Sequence, residues 1–133
     1  MDEVETARKI CEEASKTGRL TEEHRKRLRE VFGERFEKAW KAVEEGRVKR
    51  YVFKPSGRVV WIVVGEEAEY RILPRAMFCS CDDFYFRVIG GERGMCYHLL
   101  AWMIAEALSR FEKVEEGDEL YDDLMEEWRK TPK

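Results

Sequence analysis

Cys79, Cys81, Cys96 and His98 place three of the chain's four cysteines and one of its two histidines within twenty residues, as C-x-C, a gap of fourteen, and C-x-H. Thiolate and imidazole are ligands that zinc prefers, in a tetrahedron with Zn–S of about 2.3 Å and ligand sulfurs about 3.8 Å apart. Each pair must meet that spacing in its own way. On an extended strand, residues i and i+2 share a face but stand about 6.8 Å apart, so Cys79-Ser80-Cys81 has to bend. Met77-Phe78 before it and Asp82-Asp83 after it suit a strand that ends there. Two residues along a helix mean about 200° of rotation. Cys96 and His98 therefore reach one ion only if Cys96 stands at the unwound start of a helix and His98 in its first turn. Gly90, Gly91 and Gly94 give the connecting segment the freedom to return.

Three thiolates, one imidazole and no fifth candidate nearby describe a closed structural site, hence one structural zinc per chain rather than a catalytic metal. A four-iron cluster wants four cysteines, and the fourth, Cys11, falls on the apolar face of a helical pattern. Three thiolates and Zn²⁺ sum to −1, a charge that the positive end of the following helix favours. Cysteine is also among the most buried residue types, but two tight pairs joined to a histidine are not the pattern of core filling.

The elements that must position these residues follow from periodicity. Val4, Ala7, Cys11 and Ala14 mark a helix over 2–16. Thr21 caps a second helix with Leu28, Val31 and Phe32 on its apolar face and Gly33 at its end. Phe36, Ala39, Trp40 and Val43 mark a third, stopped by Gly46. The period then changes to that of strands rich in Val, Ile and aromatics. Turns at Pro55-Ser56-Gly57 and Gly65-Glu66-Glu67 divide them into a three-stranded antiparallel meander over about 48–54, 58–64 and 68–73. From Cys96 to Phe111 an apolar stripe too wide for one contact predicts a helix buried on more than one side. An acidic C-terminal helix is expected within 112–133, with Leu120, Leu124 and Trp128 on its face.

The expected fold is α+β, a single domain of 133 residues: a helical part (1–46), meander plus finger (47–111) and the terminal helix (112–133). Charged residues make up 40% of the chain, dense in Glu, Lys and Arg of both signs, a composition typical of hyperthermophile proteins. The balance is uneven: residues 47–100 carry nine basic and six acidic groups, and 101–133 carry five and ten. That excludes a uniformly basic nucleic-acid binder. No apolar run is long enough for a membrane span and no signal-peptide core opens the chain, so a cytoplasmic location (nuclear in a eukaryote) is expected, where clustered thiols bind metal. There is no P-loop, dinucleotide fingerprint or HExxH, so neither an enzyme nor a small-molecule substrate is expected. Cys11 and His24 could suggest a thiol nucleophile and its base, but they fall on separate elements with nothing to orient the base.

C-x-C-x(n)-C-x-H is the signature of the SWIM zinc-finger family, and "CSCDDFYF" with "CYHLLAWMIAEAL" resembles it closely. "FGERFEKAWKAV", "PSGR", the aromatic pair Phe84 and Phe86, and "C-x-HLLA" extend the likeness over about residues 31–110, where the chain resembles the Shu-complex branch of that family. The resemblance implies Cys79, Cys81, Cys96 and His98 as zinc ligands. It also implies a non-enzymatic accessory role in homologous recombination and DNA repair, with a RecA-like recombinase paralogue as partner and single-stranded DNA met through the complex. The composition makes an archaeal paralogue the expected one. Tyr97 stands where many members carry Lys, and Asp82 where Pro often follows the C-x-C.

Three surfaces could carry an interaction. The zinc helix offers Tyr97, Leu99 and Trp102 as aromatic and apolar anchors, and the tail offers Leu120, Leu124 and Trp128 to a groove on a protein partner. The hairpin offers Arg47, Lys49, Arg50, Lys54 and Arg58 to phosphates, the basis of an alternative function as a stand-alone single-stranded nucleic-acid-binding module. Strand alternation puts Tyr51 and Phe53 on one face, as core rather than stacking platforms.

Overall fold

A computed structural model describes residues 2–81, 84, 90–91 and 94–129; Asp82, Asp83, Phe86 and the last four residues, all drawn on above, lie outside the described residues. Three helices open the chain: α1 (Glu3–Thr17), α2 (Glu22–Phe32) and α3 (Glu34–Glu44). Asp2 Oδ1 caps α1 by accepting from the Glu5 N–H at 2.8 Å. At α2, Thr21 Oγ1 accepts from the His24 N–H (3.2 Å) and His24 Nδ1 accepts from the Thr21 N–H (3.1 Å), a reciprocal capping box in which histidine takes the usual Glu or Gln place.

The meander follows as β1 (Val48–Lys54), β2 (Arg58–Val64) and β3 (Glu69–Leu73), and it sits inside a larger sheet. β4 (Phe78–Cys79) pairs antiparallel with β3, and β5 (Glu112–Gly117) pairs parallel with β1, giving the order β4-β3-β2-β1-β5. Residues 112–117 are thus a strand, and the terminal helix, α5, is described over Tyr121–Arg129. "EKVEEG" has one apolar residue and no alternation, so tertiary pairing along six positions of β1, not propensity, makes it a strand.

Alternation gives the sheet two covered faces. Val48, Val63, Ile72 and Cys79 face the helices, where α4 (Tyr97–Leu108) lies against α1 and α3 on one side and the sheet on the other. Leu99, Leu100, Ala101, Ile104 and Ala105 of α4 are all fully buried, which accounts for its apolar girth. On the opposite face Phe53, Val60 and Ile62 receive Met125 and Trp128 of α5, with Tyr51, Tyr121 and Leu124 around them. Tyr51 and Phe53 are core, as alternation requires, but it is α5 that covers them. Trp128 stacks edge-on to Tyr51 at 4.9 Å between centroids, and its Nε1–H donates to Glu69 Oε1 at 3.3 Å.

Candidate metal centre

The two ligand pairs come from opposite walls of the helix-side core. β3 and β4 bring up Cys79, whose partner across the ladder is Ile72. The bend that the C-x-C spacing requires is made by Ser80. Its N–H donates to the Arg71 carbonyl (3.1 Å), while its Oγ, in place of a backbone carbonyl, accepts from the Arg71 N–H (3.0 Å). With the side chain finishing the ladder, the backbone is free to turn and carry Cys81 inward. Cys81 Sγ then accepts from the Phe84 N–H at 3.3 Å, closing a knuckle over which Phe84 packs edge-on to Phe78.

The second pair arrives at the start of α4. Cys96 is its N-cap, with extended backbone (φ −85°, ψ 171°), and His98 lies in the first turn; this is the arrangement that rotation about a helix demands of C-x-H. Gly94 and Met95, just before it, are held to the N-terminal helices. The Gly94 N–H donates to Glu3 Oε1 (2.8 Å), and Arg35 Nη1 donates to the Met95 carbonyl (2.7 Å).

All four residues are buried, and their ligand atoms lie within 4.8 Å of one another. The His98 ring, 5% exposed, has no hydrogen-bond partner at either nitrogen among the described residues. An unpartnered buried polar group costs about 1–3 kcal/mol, and a metal ion on one nitrogen supplies the missing partner. The thiols point the same way. Burial pushes Cys79 up, with hydrogen bonds to Cys81 and Cys96 adding to it, and burial pushes Cys96 up to about 12. The Cys81 thiol is held far below its usual range, first by its hydrogen bond with Cys79 and then by that with Cys96. Burial opposes ionising the three thiols together, and a dication offsets that cost. The donor set fits zinc: Cys79, Cys81, Cys96 and His98 would supply all four ligands of a closed site. Such an ion would crosslink the end of β4 to the start of α4.

No family model matches the chain. Among known proteins it is 30% identical over 115 residues to zinc finger SWIM domain-containing protein 7 homolog of Dictyostelium discoideum, covering 85% of this chain and 74% of that one. The chain belongs to this SWIM zinc-finger family. Zinc finger SWIM domain-containing protein 7 of Mus musculus is 32% identical over 117 residues, covering 86% of this chain and 76% of its own. An uncharacterized protein of Archaeoglobus fulgidus is 29% identical over 94 residues, covering 71% of this chain and 74% of its own.

The structure distributes this SWIM protein's other candidate residues differently from the sequence expectation. Leu99 and Trp128 are core (0% and 4% exposed), because α4 is covered on both sides and α5 lies on the sheet. Tyr97 and Trp102 are half-buried, Leu124 is half-buried, and Leu120 is exposed. The five basic residues of the hairpin do not form one tract, because alternation splits them between faces. Arg47 donates to the Val64 carbonyl (2.9 Å) and pairs with Glu45 (3.0 Å) at the strand's start. Lys49 stands 3.9 Å from Glu112, and Arg58 lies over the Tyr121 ring on the α5 face. Arg50 and Lys54 are on the other face, where Lys113 of β5 joins them. Lys113 escaped notice because its segment does not read as a strand.

Cys11 and His24 do not meet as nucleophile and base. Cys11 is buried and its thiol is pushed up to about 12, first by burial and then by the Glu106 carboxylate. His24 is occupied in the α2 cap, with Nε2 3.5 Å from Glu13. No helix among the described residues is long and apolar enough to cross a membrane.

Proposed function

We propose that this SWIM protein is a non-enzymatic accessory factor that carries one structural zinc and binds a RecA-family recombinase paralogue in homologous recombination and DNA repair. The carrying observation is the closed, buried four-ligand cluster joining β4 to α4, a centre that builds a surface and offers no place for a substrate. The family relationship supports it, spanning 85% of the chain. The partner rests on the likeness of residues 31–110 to the Shu-complex branch, and an archaeal paralogue suits the composition. Clustered free thiols suit a reducing, intracellular compartment. Tyr97, Trp102, Leu120 and Leu124 are the exposed or half-exposed anchors that a partner can reach. The test is affinity purification of the tagged protein from its native extract after nuclease treatment, with mass spectrometry of the bound fraction. A RecA-like ATPase is expected in amounts comparable to the bait and is lost with His98→Ala. A zinc-loaded, folded bait that recovers none contradicts the partner.

A second reading has its own observation. Arg50, Lys54 and Lys113 share a sheet face with the exposed Val59, around an open groove of about 390 Å³, and none of the three forms an ion pair among the described residues. Among the described residues, seven other cations are paired to carboxylates. Three unpaired cations on one face suit the phosphates of a single strand. Binding of a labelled single-stranded oligonucleotide should then weaken with salt, with a log–log slope of about −2 for three phosphate contacts, and should be lost with Arg50→Glu and Lys54→Glu together. Binding that salt does not change contradicts this reading.

A further inference from the structure

The ligand set leaves unexplained what keeps the His98 ring in place, since neither of its nitrogens is hydrogen-bonded among the described residues. Packing does this instead. The ring is flanked by Tyr97 (centroids 4.0 Å apart, planes at 36°) and Tyr70 (4.4 Å, 41°). Beneath it passes Gly65, the first residue after β2, whose N–H closes the turn onto the Ala68 carbonyl at 2.8 Å. Gly65 is not among the glycines with positive φ, so its backbone conformation is one any residue can adopt. Space is what demands glycine. A Cβ at this position would stand 2.6 Å from Tyr70 Cε2 and 2.8 Å from His98 Nε2, closer than real Cβ contacts occur.

Neither neighbour can retreat easily. Tyr70 is held in β3 opposite Val63, and His98 in the first turn of α4, whose following residues are fully buried.

We infer that Gly65 and Tyr70, on the β2–β3 turn, are positioning residues of the metal centre: bare backbone below and an aromatic ring beside it hold the His98 imidazole in ligand position. The inference rests on the zinc reading above. It makes the meander part of the metal site, although the meander contributes no ligand. Outer partners of metal-bound histidines typically change metal affinity 10- to 100-fold when altered, and here packing takes the part that a hydrogen bond usually plays.

Zinc affinity by competition with a chromophoric chelator, and the absorption spectrum of the cobalt-substituted protein, test the inference. Gly65→Ala should bind zinc about 10- to 100-fold more weakly and shift the cobalt bands, and Tyr70→Leu should weaken binding about tenfold. Gly57→Ala is the comparison. That glycine lies in the β1–β2 turn at φ +79°, and a methyl group there would meet nothing within 4 Å, so its replacement strains the backbone without touching the metal. Its melting temperature should fall while zinc affinity and cobalt spectrum stay those of the wild type. A folded Gly65→Ala protein with wild-type affinity and spectrum overturns the inference; should that variant fail to fold, Tyr70→Leu with wild-type affinity and spectrum does so. Wild-type protein that binds no zinc refutes the metal centre itself, an outcome distinct from a bound metal indifferent to both substitutions.

Discussion

Removing the metal, or any one of its ligands, should cost this protein more than any other single change. Structural zinc carries on the order of 10–16 kcal/mol of apparent binding energy, comparable to the whole stability of a typical domain at about 5–15 kcal/mol. β4 is two residues long, pairing with only Ile72 and Leu73, and fourteen residues separate Cys81 from Cys96. Closing a loop of that length by a crosslink is worth about 3 kcal/mol in chain entropy alone. The ligands also lie in the same core cluster as Leu99, Leu100 and Ile104, so opening the centre loosens the seat of α4.

The expected result is one zinc per chain by elemental analysis, and a melting temperature that collapses with chelator or with Cys79→Ser or Cys96→Ser. Cys11→Ala, in an equally buried thiol outside the cluster, should keep full zinc and lose much less stability. Zinc binding must also displace the protons that burial holds on Cys79 and Cys96, so affinity falls as pH falls. A Cys79→Ser protein with full zinc and an unchanged melt contradicts the centre.

The Cys/His cluster and the meander were legible because each rests on local spacing. C-x-C and C-x-H allow few geometries, and the structure uses a side-chain-completed bend for one and a helix N-cap for the other. The strands Val48–Lys54 and Arg58–Val64 follow from β-branched runs about Pro55-Ser56-Gly57. What escaped depends on residues distant in sequence. β5 exists because β1 offers an unpaired edge, not because "EKVEEG" prefers a strand. The split of the basic hairpin between faces follows from alternation, but the arrival of Lys113 beside Arg50 needed β5. Gly65 reads as a turn glycine, and only the return of α4, more than thirty residues later, shows that its missing side chain makes room for a ligand.

The same distance hides the second large effect, Arg35→Ala. Arg35 on α3 holds both carboxylate oxygens of Glu3, Nη1 to Oε1 at 2.9 Å and Nη2 to Oε2 at 2.6 Å, and lies over the Phe32 ring. Its third contact, to the Met95 carbonyl at 2.7 Å, and the Glu3 bond to the Gly94 N–H pin the residues just before Cys96. Gly94 is needed there, since a Cβ would stand 2.9 Å from the Glu3 Cβ. At 17% and 26% side-chain exposure the pair is largely withdrawn from water, so removing the cation leaves the Glu3 carboxylate without its counter-charge, held by the Gly94 N–H, and takes the Arg35 donor from the Met95 carbonyl, a loss of about 3 kcal/mol at neutral pH. The pH dependence has a definite sign. Arg35, through its hydrogen bonds, holds the Glu3 carboxyl below its ordinary value of 4.5. A depressed folded value means stability fully present above the unfolded pKa and lost as pH falls through the folded one. Denaturant titrations from neutral to acid pH should therefore show the gap between wild type and Arg35→Ala narrowing below about pH 4.5, because protonation of Glu3 removes in the wild type what the substitution has already removed. A variant matching the wild type at neutral pH, or a gap that does not narrow in acid, would show that the finger's return is held by its metal alone.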